Sequence, residues 1–124
     1  PADMEMSIAL DPLFEQVMIT GDSRPYLTAV IVLNPEQWEG FAQGMGPDPA
    51  DPATLTSEAV EQAVCDKLSE WLAEFPGYAQ VHRATCTLEP WTIENGMITP
   101  TLKLKRNRIL EHFSEAIEMM YEGH

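Results

Sequence analysis

Basic side chains are scarce in this chain. Seven lysines and arginines stand against 20 aspartates and glutamates, for a formal net charge of −13. So acidic a molecule repels phosphate backbones, which disfavours general nucleic-acid binding. Cysteine is sparse too. Cys65 and Cys86 lie far apart, with no CxxC spacing and no neighbouring His of metal-ligand type. That argues against a disulfide framework and a cysteine-based zinc site, and free thiols in a reducing cytoplasm are the expected state. No apolar run approaches the ~20 residues that a membrane-spanning helix needs, and nothing at the start reads as a secretory signal. Internal repeats are missing, and the one biased stretch is the Gly- and Pro-punctuated segment 44–52, expected to be an exposed loop.

What is present suits one soluble globular domain. At 124 residues and 44% hydrophobic content, such a chain buries about two thirds of the surface that its unfolded form exposes. The pattern is α+β. Asp3 is placed to cap a short helix carrying Met4 and Ile8, stopped at Asp11 by Pro12. Residues 13–19 read as a strand, 21–25 as turn chemistry and 26–33 as a second strand, so the two form a hairpin. Residues 29–33 are continuously apolar, which predicts a central strand covered on both faces. Asn34, Pro35 and Gln37 open a helix as N-cap, N1 and N3, with Trp38 and Phe41 facing inward and Gly44 as its stop.

Val60, Val64, Leu68, Trp71, Leu72 and Phe75 recur at helical spacing, predicting a helix over 56–75 that Pro76 and Gly77 end. Residues 82–88 alternate Ala84, Cys86 and Leu88 against Arg83, Thr85 and Thr87 as a third strand. Ile109, Leu110, Phe113, Ile117, Met120 and Tyr121 predict one closing amphipathic helix. The expected architecture is a small mixed or antiparallel sheet, a hairpin plus a third strand, flanked by helices.

Against this acidic background, Lys103, Lys105, Arg106 and Arg108 hold four of the seven basic charges within six positions. Gathered positive charge suits a polyanion such as phosphate. The plainer alternative is a solvated strand edge, where Lys discourages aggregation. Pro100 pushes Thr99 out of the helical region, so 101–105 is expected to be extended. Leu102 and Leu104 then point to the core while Lys103 and Lys105 project together on the other side. Glu94-Asn95-Gly96 upstream is a turn in which Gly96 supplies the positive φ. The unit is a tongue that carries two lysines.

The run Glu94-Asn95-Gly96-Met97-Ile98-Thr99-Pro100-Thr101-Leu102-Lys103-Leu104-Lys105-Arg106 resembles the closing motif of acyl-adenylate-forming enzymes, in the form used by long-chain fatty acyl-CoA synthetases. Residues 11–17 and 24–29 are similar to segments that follow that family's hinge, and Pro1-Ala2-Asp3-Met4-Glu5 to the tail of the hinge itself. The resemblance covers most of the chain and is weakest over 44–54. It implies that residues 1–124 are a single domain, the C-terminal lid of a larger ligase whose large N-terminal domain is not in this sequence. It further implies ATP and CoA as substrates, Mg2+ held by the large domain, and a cytoplasmic parent with peripheral membrane contact left open.

The family's adenylation lysine maps onto Lys103, with Lys105 and Arg106 as nucleotide- or substrate-binding candidates; no metal site is expected in this chain. Many relatives outside the long-chain branch carry glycine where Leu102 stands here, which blurs the choice between Lys103 and Lys105. The isolated chain is expected to be inactive, because it contains no phosphate loop and no acyl pocket.

Other candidates carry less. His82, His112 and His124 are isolated and read as structural. Glu58, Glu61, Asp66, Glu70 and Glu74 read as the solvated outer face of the long helix. Trp38, Trp71 and Trp91 occupy core-like positions, with Trp91 alternatively facing the large domain. Arg24 is expected to face solvent, with contact to a CoA phosphate as the alternative, and Arg106 and Arg108 either hold phosphates or pair with the acidic closing helix. The competing class is a stand-alone acidic interaction module whose basic tongue docks a protein partner.

Overall fold

The uninterrupted apolar run Ala29-Val30-Ile31-Val32-Leu33 forms the middle of the fold. It belongs to the strand Leu27–Leu33 (β2), whose residues 29 to 33 are all at most 1% exposed. The structure is a computed structural model that describes residues 2–21, 24–43, 52–75 and 80–122. The strand Phe14–Thr20 (β1) pairs antiparallel with β2, and Val81–Thr87 (β3) pairs parallel with it on the other side, so the sheet is mixed in the order β1-β2-β3. The hairpin expected from the sequence is therefore present, and the sheet is of the mixed kind.

A parallel pair needs a crossover, because the chain must return to the starting edge. Here the crossover contains the helices Pro35–Gln43 (α2), Pro52–Leu55 (α3) and Glu58–Trp71 (α4). Asn34 opens α2 as expected, its Oδ1 accepting from the Glu36 and Gln37 amides at 3.0 and 3.1 Å. The expected long helix starts later than residue 56, because Ser57 caps it by accepting from the Val60 amide at 3.3 Å. It also ends earlier, at Trp71, although Leu72 remains fully buried beyond it. The proposed stops at Gly44 and Pro76-Gly77, the segment 44–51 and His124 lie outside the described residues.

The pleat of β2 divides the core. Ala29, Ile31 and Leu33 face one cluster with Val17, Ile19, Ala84 and Cys86, closed by Trp38, Val60, Val64, Leu68 and Leu72. Val30 and Val32 face the other, with Met18, Trp91, Met97, Ile98, Ile109, Ile117 and Met120. Alternation along the strand assigns each set to its face. The first cluster includes Met4 and Ile8 from the helix Ala2–Ile8 (α1), in which Asp3 lies within the first turn rather than before it. The closing helix is two: Arg106–His112 (α5) and Ser114–Tyr121 (α6), broken at Phe113. Gly21 ends β1 at φ +145, where a Cβ would lie 2.9 Å from the Leu27 Cα, so the hairpin turn excludes other residues.

Asp11 stitches α1, α4 and the start of β1 together. Its Oδ1 accepts from the Leu13 amide at 3.0 Å, and its Oδ2 from Trp71 Nε1 at 3.0 Å and Lys67 Nζ at 3.2 Å. Burial acts to raise its pKa, but the hydrogen bonds from Trp71, Leu13 and Lys67, with the Lys67 charge, outweigh that and hold it below the ordinary 3.8. A depressed carboxylate stabilises the fold above the unfolded-state value and loses that contribution as pH falls through the lower folded-state value. Asp11→Asn should therefore cost about 1–3 kcal/mol at neutral pH. It should also remove part of the acid loss of stability below pH 3.8, checked by urea denaturation from pH 2 to pH 7.

Both cysteines are free. Burial pushes the Cys65 thiol up to about 11 and the Cys86 thiol up to about 12, which leaves both protonated and inert as core residues.

Candidate functional site

Four devices build the tongue. Asn95 folds the turn at its base, with Oδ1 accepting from the Thr92 amide at 2.9 Å and the Met97 amide at 3.2 Å, and Nδ2 donating to the Pro90 carbonyl at 2.9 Å. Gly96 follows at φ +79, as expected, and a Cβ there would meet the Arg108 guanidinium at 3.0 Å. Met97 and Ile98 are buried and anchor the outgoing arm. Gln16 of β1 ties down the base, donating to the Trp91 carbonyl at 2.9 Å and accepting from the Trp91 amide at 2.7 Å. Trp91 is buried against Phe113 and belongs to the core of this chain.

The tip is a reversal rather than an extended segment. Ile98 pairs antiparallel with Leu104, the Thr99 amide donates to the Lys103 carbonyl at 2.8 Å, and the Leu102 amide donates to the Thr99 carbonyl at 2.8 Å. Leu102 sits at φ 65, in the left-handed region. A three-residue hairpin loop takes this form, a turn followed by a left-handed residue that is usually glycine. The expectation that Leu102 anchors the tongue is corrected: it is 71% exposed. The left-handed backbone aims its side chain out of the alternation that the sequence pattern assumed. Leu104 is half-buried and packs on the second cluster.

Left-handed leucine costs about 1–2 kcal/mol against glycine, partly offset by glycine's larger unfolded-state freedom. Leu102→Gly should therefore raise stability by about 0.5–1 kcal/mol, and Leu102→Val should lower it, as read by thermal or urea denaturation.

The four basic residues separate. Lys103, Lys105 and Arg108 are exposed and form no ion pair among the described residues. Arg106 is engaged: its Nη1 and Nη2 donate to the two carboxylate oxygens of Glu5 at 2.9 and 2.5 Å. It thus pairs with α1 and not with the closing helix. The hydrogen bond donated to Glu5 raises the Arg106 pKa further, against a smaller opposing effect of burial. Arg106 also borders an open cleft of about 450 Å³ whose other walls include Met18, Ile19, Leu27 and Leu110. Thr20 and Gly21 also line it, so its walls are mostly, not wholly, apolar. No group of three or more His, Cys, Asp or Glu gathers at metal-binding distance among the described residues.

Two further expectations are revised by contacts that long-range packing creates. Arg24 is not left to solvent: its guanidinium pairs with Glu118 and lies 4.6 Å above the Tyr121 ring, tying the hairpin tip to α6. Glu61 is not merely solvated, since it binds Arg83 through Nε at 2.6 Å and accepts from the Ala84 amide at 3.0 Å. The long-range partners of Glu5, Asp11 and Glu61 were not legible in the sequence. Glu5 offered one weak signal, its place beside the inward Met4 and Ile8 of a short helix. His82 stacks on Tyr26 at 5.0 Å and His112 lies edge-on to Phe113 at 4.8 Å.

A mixed three-stranded sheet flanked by helices matches the C-terminal domain of adenylate-forming enzymes. The chain belongs to the AMP-binding enzyme C-terminal domain family, whose model matches residues 1–124. It is similar to "Long-chain-fatty-acid–CoA ligase 5" of Mus musculus, 33% identical over 111 residues, covering 87% of this chain and 16% of the relative. It is also similar to "Probable acyl-activating enzyme 16, chloroplastic" of Arabidopsis thaliana, 28% identical over 123 residues, covering 98% of this chain and 17% of the relative. Among solved structures it superposes on the adenylation domain of a Mycobacterium chelonae carboxylate reductase with a TM-score of 0.78 and 28% identity, covering 97% of this chain and 17% of that one. The chain thus spans well under a fifth of the length of each. No helix among the described residues is long and apolar enough to cross a membrane.

Proposed function

We propose that residues 1–124 act as the lid of an ATP-dependent long-chain fatty acid–CoA ligase and that Lys103 is its adenylation residue. The observation that carries this reading is the state of Lys103. It stands at the tip of a braced tongue, exposed and without a carboxylate partner among the described residues of a chain with net charge −13. An unpaired cation so presented is available to an anion supplied by another domain.

In the first step the fatty acid carboxylate attacks the α-phosphorus of ATP, and the bond to pyrophosphate breaks. Two anions must approach each other, and negative charge accumulates on the α-phosphate oxygens. A lysine placed there offsets both, and the rigid tongue holds it without reorganisation during the reaction. In the second step the CoA thiolate attacks the acyl carbonyl and AMP leaves. Lys103 has no charge to stabilise in that step once the lid has turned, and a different face of the domain would meet CoA. Lys105 projects from the same arm and adds to the local field as a solvent-screened charge. Arg106, held by Glu5, is a weaker candidate for the nucleotide than its sequence position suggested.

The test is substrate-dependent pyrophosphate release by the polypeptide that carries this domain, given ATP with acetate, benzoate or palmitate. Release with palmitate, followed by palmitoyl-CoA on adding CoA, is the expected result. The 124-residue chain alone should form no thioester. Release with benzoate only, or thioester formation by the isolated chain, contradicts the proposal.

A further inference from the structure

The junction between the tongue and α5 lacks the usual local support. Lys105 precedes α5 at φ −86 and ψ 80 and provides no side-chain cap, and the first turn of α5 contains no acidic residue. Arg106 and Arg108 instead place positive charge at the helix end where a cation is least favoured. Something outside the helix must hold this end.

Glu5 does so across 101 positions of sequence. Its side chain is only 10% exposed. Its Oε2 accepts from Arg106 at 2.9 Å and also from the Ile19 amide at 2.7 Å, while its Oε1 accepts from Arg106 at 2.5 Å. One buried carboxylate therefore joins α1, the end of β1 and the start of α5. The residue before Arg106 is the last hydrogen-bonded position of the tongue, where the Lys105 amide donates to the Met97 carbonyl at 2.8 Å. Whatever fixes Arg106 fixes the returning arm, and with it the direction in which Lys103 projects three residues earlier.

We propose that Glu5 and Arg106 are positioning residues, a latch that sets the tongue against the rest of the domain. The bidentate fork suits this because it fixes orientation as well as distance, which a lysine in the same place does not. The latch itself stands on the geometry alone. Its consequence for catalysis rests on the adenylation role proposed for Lys103.

Two variants separate the pieces. Arg106→Lys keeps the charge and removes the fork. Glu5→Gln keeps an acceptor for the Ile19 amide and removes the charge. Residue-by-residue hydrogen exchange on the 124-residue chain should show the Thr99 and Lys105 amides opening about tenfold faster in both, with the Val30 and Ile31 amides within about twofold of the parent chain. Unchanged tongue amides in both variants overturn the latch. So does acceleration of Val30 and Ile31 equal to that of the tongue, which marks a general loss of stability.

In the ligase that carries the domain, each variant should slow single-turnover adenylation about tenfold and leave acyl transfer from pre-made adenylate within about twofold. The double variant should be no slower than the slower single one, as expected for two residues acting as a unit. Additive losses overturn the latch. Lys103→Ala, measured alongside, keeps the failures apart. If it leaves adenylation intact, the catalytic reading falls while the exchange experiment still decides the latch.

Discussion

On the adenylation role proposed for Lys103, Lys103→Ala in the polypeptide that carries this domain should slow acyl-adenylate formation by a hundred- to a thousandfold. One preorganised charge removed from a developing transition state costs about 3–4 kcal/mol. That scale applies because Lys103 has no competing carboxylate among the described residues and its tongue is braced at both arms. Lys105→Ala should cost about 1 kcal/mol or less, as befits an exposed, solvent-screened charge. Pyrophosphate release in a single turnover measures both. A crippled Lys105→Ala beside a mild Lys103→Ala would shift the adenylation role by two residues.

Trp38→Ala should cost about 3–5 kcal/mol of stability. Trp38 is 2% exposed and sits on the inner side of α2, 6.2 Å from the Phe41 ring, where it closes the first cluster over the sheet. Its loss leaves a cavity beneath a helix that begins the crossover between the two parallel strands, so the surrounding elements cannot collapse to fill it. Set against a typical total of about 5–15 kcal/mol, the change brings the fold close to its limit. A urea midpoint within the error of the parent chain would show that α2 does not depend on this ring.

The elements were legible where local chemistry decides them. The run from Ala29 to Leu33 named the central strand, Asn34 and Pro35 the start of α2, and Gly96 the turn at the base of the tongue. Local reasoning stopped at three kinds of position. Ser57 moved the start of α4 past residue 56 and Phe113 broke the closing helix, because periodicity reports which side faces inward and not where a helix is capped or its axis bends. Leu102 was taken for an anchor on strict alternation, which a left-handed residue in a tight reversal does not obey. The partners of charged groups were the least visible. Arg24 with Glu118, Arg106 with Glu5, and Lys67 with Asp11 each span more than 50 positions, and only the assembled sheet brings them together. The basic island read as one cluster, whereas the fold divides it into an engaged Arg106 and three cations without an ion pair among the described residues.

Transfer from pre-made acyl-adenylate to CoA in the Lys103→Ala ligase, followed in a single turnover, tests the central claim most directly. A lysine that serves only the first step predicts a transfer rate within about twofold of the parent enzyme beside adenylation slowed at least a hundredfold. An equal fall in both half-reactions would contradict it.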